Sequence, residues 1–554
     1  MKYHKTLNAI KITFSTLILV GILSSCSKDE PVYEKTRLFR PVQNADLKAT
    51  ANVIIVNLAK IKEAISYKVE VSQDSFVTVL YTFVSDTNYI LINQATVGEE
   101  LDYNSLYQVR VLANAASSEY NSKVALLGSV RTERFPSIQL LPRIFDVTDV
   151  KARARWTPSG AAISQVKTFA KDDKKLTKPL ATYTVSAAEN TSGEKIIDKL
   201  TPNTSYQVAI YSGNTIRGWV DYKTLVADVN PADPNVINLS ESEDPSALAS
   251  AVAAAADGNI ILLKKGIRYD IPTDPLNKSI TIKGAYGLVP ERTEVFSKGD
   301  WKVTPGAKIN YIIFDNIDFI GLDMGAHYAF NISNSGTPTV IKDLKFLNCT
   351  IKNVRGIIRL RSTSFITNLT ISNSIVYDIG NYGLFTCDSD GTDQAAIDNV
   401  LLENSTFYRM TIFVTSRQNC QSFIIKSCTL SEFTEQGQQT FRFRGAAGKS
   451  DIIKGLTISG CIWGHGWDPA KTGGTLVNFS KEGLKGTTIS VTNTWATSDF
   501  GVVAGTEMPG FPSLTYGKPA ASLWVSPYMA NFNIGDAGFT GKYDSGDPRW
   551  RTPR

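Results

Sequence analysis

The chain has 554 residues, of which 43% are hydrophobic, 10% aromatic and 20% charged. That length exceeds one ordinary core and predicts three or four domains, and that composition excludes a largely disordered chain. Formal net charge is +6, but Lys2, Lys5 and Lys11 supply three of these, leaving about +3 for the remainder. With no basic helical stripe, no nucleic-acid partner is expected.

The first 25 residues read as an export signal: Lys2, Lys5 and Lys11 precede the apolar run Ile12 to Ile22. That run has about half the length needed to span a bilayer. It ends in Leu23-Ser24-Ser25-Cys26, which resembles a bacterial lipobox. The resemblance implies cleavage before Cys26 and attachment of outer-membrane lipid to its thiol. Cys26-Ser-Lys-Asp-Glu30 is similar to the export tag of Bacteroidetes surface lipoproteins, which implies a protein facing the cell exterior. Residues 26–35 are then a short tether.

Residues 36–134 show short alternating strands, such as Tyr67 to Val71 and Tyr107 to Leu112, separated by turn formers. This is the pattern of a small β-sandwich. Residues 138–228 repeat it. Leu200-Thr-Pro-Asn-Thr-Ser-Tyr-Gln-Val-Ala-Ile210 resembles the E-to-F region of fibronectin type III modules, with Trp156 as the core tryptophan of an early strand. Leu101 to Arg110 is a looser version of the same phrase. A Pro/Asp/Asn linker, Asp228 to Asn235, separates these modules from the remainder.

An Ala-rich segment predicts a helix with Asp244 as N-cap and Pro245 at its first position. After it, one phrase recurs: apolar-x-apolar-x-Asn-(Cys/Ser/Thr)-x-apolar. Its anchors are Asn316, Asn348, Asn373, Asn404, Ser427, Gly460 and Asn493, spaced 32, 25, 31, 23, 33 and 33 residues apart. Strand-like alternation at such a period predicts a solenoid of stacked coils. Cys349, Cys428 and Cys461 each follow an anchor and are expected to face inward as small apolar packing. Cys387 and Cys420 lie elsewhere, and without Cys26 the cysteine count is odd, which argues against a disulfide framework.

A helix followed by this repeat resembles the start of the pectin-lyase-like right-handed parallel β-helix. The resemblance covers residues 236–500 and implies that the anchors form a ladder of stacked amides and that the helix covers the open end. Residues 501–554 are expected to pack along the coils as a strap. The fold expected is therefore all-β: two fibronectin type III-like sandwiches, then a capped right-handed parallel β-helix. The whole layout is similar to that of Bacteroidetes surface lipoproteins linked to polysaccharide utilisation, a family carrying a domain of unknown function. Their context implies a glycan-uptake complex as partner.

A second strand recurs after each anchor: Ala329 to Ser333, Ile358 to Arg361, Phe385 to Asp388, Val414 to Arg417, Phe441 to Arg444 and Val477 to Ser480. Side chains alternate across a strand. With Leu360 and Phe443 inward, Arg359, Arg361, Arg442 and Arg444 point outward. One outward column then reads Ser333, Arg361, Asp388, Arg417, Arg444, Ser480. Coils stack about 4.8 Å apart, near the repeat of an extended acidic polysaccharide, and Arg binds carboxylates bidentately. The ligand-binding candidates are thus Arg359, Arg361, Asp388, Arg417, Arg442 and Arg444. The competing reading is a solvated ladder in which Asp388 neutralises its neighbours, and such surface pairs stabilise little.

Asp388, Asp390 and Asp393 form an acidic loop that offers Ca²⁺ ligands, but the spacing does not complete a twelve-residue calcium loop. No cofactor is expected otherwise. Gly464-His465-Gly466 resembles a tripeptide of the polygalacturonases, yet the accompanying site motifs of that family are missing, which leaves a turn or a sugar-stacking lip beside Trp463 and Trp467. The Arg-x-Pro-x-x-Arg signature of pectate lyases is missing too. The leading expectation is a surface lipoprotein that captures a pectin-like acidic polysaccharide. A lyase acting by β-elimination, with Arg417 or Arg444 as the group taking the proton, is the alternative; hydrolase chemistry ranks below it. A purely adhesive or structural protein is the third reading.

Overall fold

The computed structural model describes residues 36–553; the leader, Cys26 and the tether expectation lie outside them. The chain divides into two compact units, residues 1–138 and 139–554. Among the described residues no helix is long and apolar enough to cross a membrane.

The first unit is an antiparallel sandwich. Strands β1 (Gln43–Thr50), β2 (Val53–Leu58) and β5 (Tyr89–Ile92) form one sheet. Strands β4 (Tyr81–Ser85), β3 (Ser66–Ser72), β6 (Leu106–Asn114) and β7 (Ala125–Arg131) form the other, in that spatial order. Strict alternation along β2, β3 and β6 buries Ile54, Val56, Leu58, Tyr67, Val69, Val71, Tyr107, Val109 and Val111 between the sheets. The Tyr107 hydroxyl accepts the Asp102 backbone N–H at 2.9 Å, closing the corner that leads into β6.

The second unit opens with a comparable sandwich. Strands β8 (Ala152–Arg155) and β11 (Glu194–Ile197) pair with each other; β10 (Ala181–Thr184), β9 (Gln165–Ala170), β12 (Ser205–Ser212) and β13 (Thr215–Lys223) form the facing sheet. Trp156 is buried, and Tyr206 repeats the corner, its hydroxyl accepting Thr201 N–H at 2.8 Å. The phrase around Leu200 therefore forms the turn its residues predicted.

Beyond residue 235 every strand pairing of the large sheet is parallel, and each strand meets the equivalent strand of the next coil. One ladder runs from Val236–Leu239 through Lys308–Asp315 and Ser422–Lys426 to Ile489–Thr492. A second runs from Arg268–Asp270 through Thr406–Met410 to Leu514–Tyr516. A third joins the segments that end at Ser333, Arg361, Cys387, Ser416 and Phe443. Inward residues of all three make one continuous core, with Phe314 stacked on Phe346 at 5.1 Å and 10°. Ordered stacking of this kind is what a parallel arrangement with both side-chain sets used, one for the core and one for the surface, produces.

The anchor residues explain the turns. Asn316, Asn348, Asn373, Asn404, Ser427, Gly460 and Asn493 all have positive φ, between 43° and 62°. Asn tolerates that left-handed conformation better than most residues, and Gly adopts it freely. The expected ladder of stacked amides does not form: Asn348 Nδ2 donates to Asp315 Oδ1 at 2.8 Å and Asn316 Nδ2 to the Gly284 carbonyl at 2.8 Å. The continuous ladder lies one residue further on, inside the coil. Cys349 N–H donates to Ser374 Oγ and Ser374 N–H to Ser405 Oγ, both at 3.0 Å, while Cys428 N–H meets Cys461 Sγ at 3.4 Å. Cys349, Cys428 and Cys461 face inward as expected, and Cys387 and Cys420 are equally buried, all five as free thiols.

Two further expectations are corrected. The helix spans Ala247–Ala254 with Ser246 at its N-cap position, two residues later than predicted. Asp244 instead accepts the Ser246 N–H at 2.9 Å, which closes a turn before the helix. Its Leu248, Ala251 and Val252 join the coil core at the first coils. Parallel pairing also continues past residue 500: Gly501–Val502 and Leu514–Tyr516 add to earlier strands. The strap proper begins later, and Trp524, Phe532 and Phe539 pack with Tyr408 and Ile462 of the coils.

Candidate functional site

The third ladder carries the arginine-rich surface. Leu360, Phe441 and Phe443 are fully buried, so their strand neighbours Arg359, Arg442 and Arg444 point out, and Arg361 is exposed. Ser333 pairs with Arg361. The ladder continues in register through Asp388 N–H to the Leu360 carbonyl (2.9 Å), Arg417 N–H to the Cys387 carbonyl (3.0 Å) and Arg444 N–H to the Ser416 carbonyl (2.8 Å). Arg361, Asp388, Arg417 and Arg444 thus form one outward column.

Ser480 drops out of it. Gln439 pairs with Asn478, which sets Ser480 beside Phe441, three residues short of Arg444. The chain turns at Gly483, where φ is +84° and an added Cβ would lie 2.2 Å from the Phe443 carbonyl oxygen. Glu482 comes to the cluster instead, 3.6 Å from Arg442 Nε.

Asp388 is the hub. Its carboxylate lies 3.3 Å from Arg359 Nη2, 3.8 Å from Arg417 Nε and 3.6 Å from Arg444 Nη2. Arg417 also pairs with Asp390. Four guanidinium groups (Arg359, Arg417, Arg442 and Arg444) therefore contact three carboxylates (Asp388, Asp390 and Glu482), a surplus of one positive charge, and exposed Arg361 extends the column. Several of these contacts are longer than a hydrogen bond. As a result Arg359 Nε, Arg442 Nε and Arg444 Nε are buried N–H donors with no hydrogen-bond partner among the described residues. Burial, reinforced by Arg442 and Arg417, holds the Arg444 guanidinium below its usual pKa.

Two tyrosines missed by the sequence reading border this surface. Tyr328 and Tyr382 meet edge-to-face at 5.0 Å. Arg359 lies over both rings (5.6 and 5.3 Å), and Arg355 over both from another side (5.6 and 4.7 Å). Cation–π contact fixes the Arg359 plane without using its N–H donors. Nothing local marks these tyrosines, because they meet across non-adjacent coils.

The acidic loop is held from below. Gln418, which is buried, donates Nε2 to the carbonyls of Ser389 (2.9 Å) and Gly391 (3.0 Å), and Lys449 Nζ also reaches Gly391. Asp388 and Asp390 face arginines, Asp393 is exposed, and no group of three metal-ligating side chains occurs among the described residues. The calcium reading of Asp388, Asp390 and Asp393 therefore lacks an assembled ligand set in the described structure. At the Gly-His-Gly turn, Trp463 is fully buried against Phe433, Phe479 and Phe511, so it is core rather than a sugar-stacking lip.

Comparison with known proteins gives a family-model match over part of the chain and two solved structures of low similarity. The family model described as "Domain of unknown function (DUF4957)" matches residues 268–410, which hold most of the first coils and stop short of Arg417. A search of the curated proteins finds no match. Among solved structures, the FN1–FN3 domains of chicken CNTN1 are 11% identical, covering 35% of this chain and 69% of that one with a TM-score of 0.16. A two-domain fibronectin type III segment of chicken tenascin is 15% identical, covering 33% of this chain and 99% of that one, also with a TM-score of 0.16.

Proposed function

We propose that the parallel coils form a right-handed β-helix of the pectin-lyase-like kind and that its arginine surface captures an acidic polysaccharide. The supporting observation is the set of three buried, unpartnered guanidinium N–H donors within a cluster carrying one surplus positive charge. A buried donor without a partner costs about 1–3 kcal/mol, which a bound carboxylate would recover. Coil spacing of about 4.8 Å lets successive arginines meet successive uronate carboxylates. The lipobox at Cys26 supports a lipid-anchored protein on the outer membrane, facing the exterior and working with a glycan-uptake complex.

The test is calorimetric titration with polygalacturonate at several salt concentrations. Binding that weakens with salt is expected, because the contacts are charge–charge and partly exposed. Replacing Arg359, Arg417 and Arg444 together by Ala should weaken it about 50-fold, roughly 2.3 kcal/mol; unchanged affinity would sink the proposal. The lyase alternative would use Arg444 on the same surface; burial holds its guanidinium below its usual pKa, the direction a base requires. New ultraviolet absorbance from an unsaturated uronide, abolished by Arg444→Ala, would establish it. No affinity for any acidic glycan would leave the adhesive reading.

A further inference from the structure

Five residues after each of the five middle anchors, Asn348 to Gly460, the chain rounds a different corner of the coil. The residues there are Asn353, Asp378, Arg409, Glu432 and His465. The first four have φ of 57°, 54°, 50° and 46°. Asn and Asp tolerate this conformation, whereas Arg and Glu adopt it at a cost of about 1 kcal/mol or more each. A turn alone is served by Asn or Gly, so Arg409 and Glu432 sit there against local preference.

Arg409 is neutralised in place. Its Nη2 donates to Asp378 Oδ2 at 2.9 Å, its Nε lies 2.7 Å from Oδ1 without hydrogen-bond alignment, and its guanidinium lies 5.4 and 5.0 Å from the rings of Tyr377 and Tyr408. Those rings stack at 4.7 Å and 7°. Glu432 is half-buried; burial raises its carboxyl pKa, Asp378 pushes the same way, and His465 and Arg409 oppose.

His465 is 6% exposed, with Nδ1 2.7 Å from the Gly466 carbonyl oxygen. A carbonyl only accepts, so Nδ1 carries a proton, and in the neutral ring Nε2 keeps its lone pair. That Nε2 is buried and has no hydrogen-bond partner among the described residues. An orphaned acceptor at that depth calls for a donor. Beside the imidazole, at 5.7 Å between centroids and 34°, lies Tyr528, which is 55% exposed on the turn Pro527–Met529.

We propose that Glu432, His465 and Tyr528 form a second carbohydrate site, one that takes an uncharged sugar ring. A ligand hydroxyl donates to His465 Nε2, a second hydroxyl bonds the Glu432 carboxyl, and the apolar face of the ring lies on Tyr528. Three features select this ligand class. The orphan is an acceptor, which a hydroxyl satisfies and a carboxylate does not. The Asp378–Arg409 pair cancels, so no surplus cation recruits an anion. The exposed aromatic ring offers a flat apolar surface beside polar groups, as small-ligand sites do. Because Nε2 is buried, entry requires side chains around the imidazole to move, and the exposed Tyr528 ring beside it is free to rotate.

This site stands apart from the arginine surface and does not depend on it. The test is calorimetry of the full chain in detergent with galacto-, xylo- and mannotetraose, each up to millimolar concentration. At least one should bind, and Tyr528→Ala and His465→Ala should each weaken it at least tenfold, while Tyr528→Phe and the Arg417→Ala/Arg444→Ala pair leave it within twofold. Tyr528 is exposed, so its loss does not threaten folding. Absence of heat with all three sugars, or affinity indifferent to Tyr528→Ala, overturns the proposal. So does displacement of the neutral sugar by polygalacturonate, which would merge the two sites. Failure of polygalacturonate to bind bears only on the arginine surface.

Discussion

At the arginine corner four guanidinium groups face three carboxylates, and three N–H donors stay unpartnered. At the corner five residues past the anchors, Asp378 meets Arg409 one to one, and the unpartnered atoms are Arg409 Nε and His465 Nε2. Both corners belong to the same coils and share one core. The difference teaches that the backbone supplies only a spacing of about 4.8 Å between outward positions. Charge balance and the missing partners then set the two proposals apart: an anion at the first column, a hydroxyl at the second.

The shared core gives the strongest way to break the comparison. Phe413 packs its ring against Phe407, Phe423, Phe433 and Phe441 at 4.7–6.1 Å. Phe413→Ala should cost about 3–5 kcal/mol in denaturant unfolding and weaken both ligands together; a loss confined to one would show that the corners are supported separately. The triple arginine variant comes next, with the roughly 50-fold loss for polygalacturonate expected above and no change for a neutral sugar. A parallel loss of both would end the distinction.

Asn404 sets the turn that precedes both Arg409 and Arg417, at φ 49°. Asn404→Val places a β-branched residue in that conformation and should cost about 1–2 kcal/mol, whereas Asn404→Gly should be nearly neutral; equal effects would mean that the turn is not held by its φ. The smallest effect concerns Glu432. Its folded pKa is raised, so the unfolded chain releases this proton first as pH rises. Its contribution to stability is therefore complete below the ordinary Glu range and is lost as pH climbs through the folded value. Asp378, Arg409, His465 and Tyr528 are the titratable groups around it. Glu432→Gln should raise Tm by about 1–3 °C near pH 7.5 and leave it unchanged near pH 4. A gain at both pH values would assign the effect to packing rather than to charge.

Much of the site was legible because alternation is local. Leu360 and Phe443 inward put Arg359, Arg361, Arg442 and Arg444 outward with no tertiary information, and spacing carried Asp388 and Arg417 into the same column. The column failed at Ser480 because its register depends on the turn at Gly483, whose approach to Phe443 is a contact between coils. Tyr328 and Tyr382 went unseen for the same reason. The corner at Asp378, Arg409, Glu432 and His465 did carry a signal, a constant offset of five from the anchors, but its residue types differ from coil to coil, so only the positive φ at Asp378, Arg409 and Glu432 exposes it.

The sequence by itself determined the repeat, the turn positions and the faces of the strands, since each follows from φ preference and a two-residue period within one coil. It also marked the two sandwich corners through Tyr107 and Tyr206. Tertiary structure alone decided that three arginines share Asp388, that the C-terminal strap ties Asp547 to Thr406 at 2.7 Å, and that His465 lies buried with an unpartnered nitrogen. These depend on which coils come into register and on what covers them, and residues about 30 to 140 positions apart settle that by packing, not by any local preference.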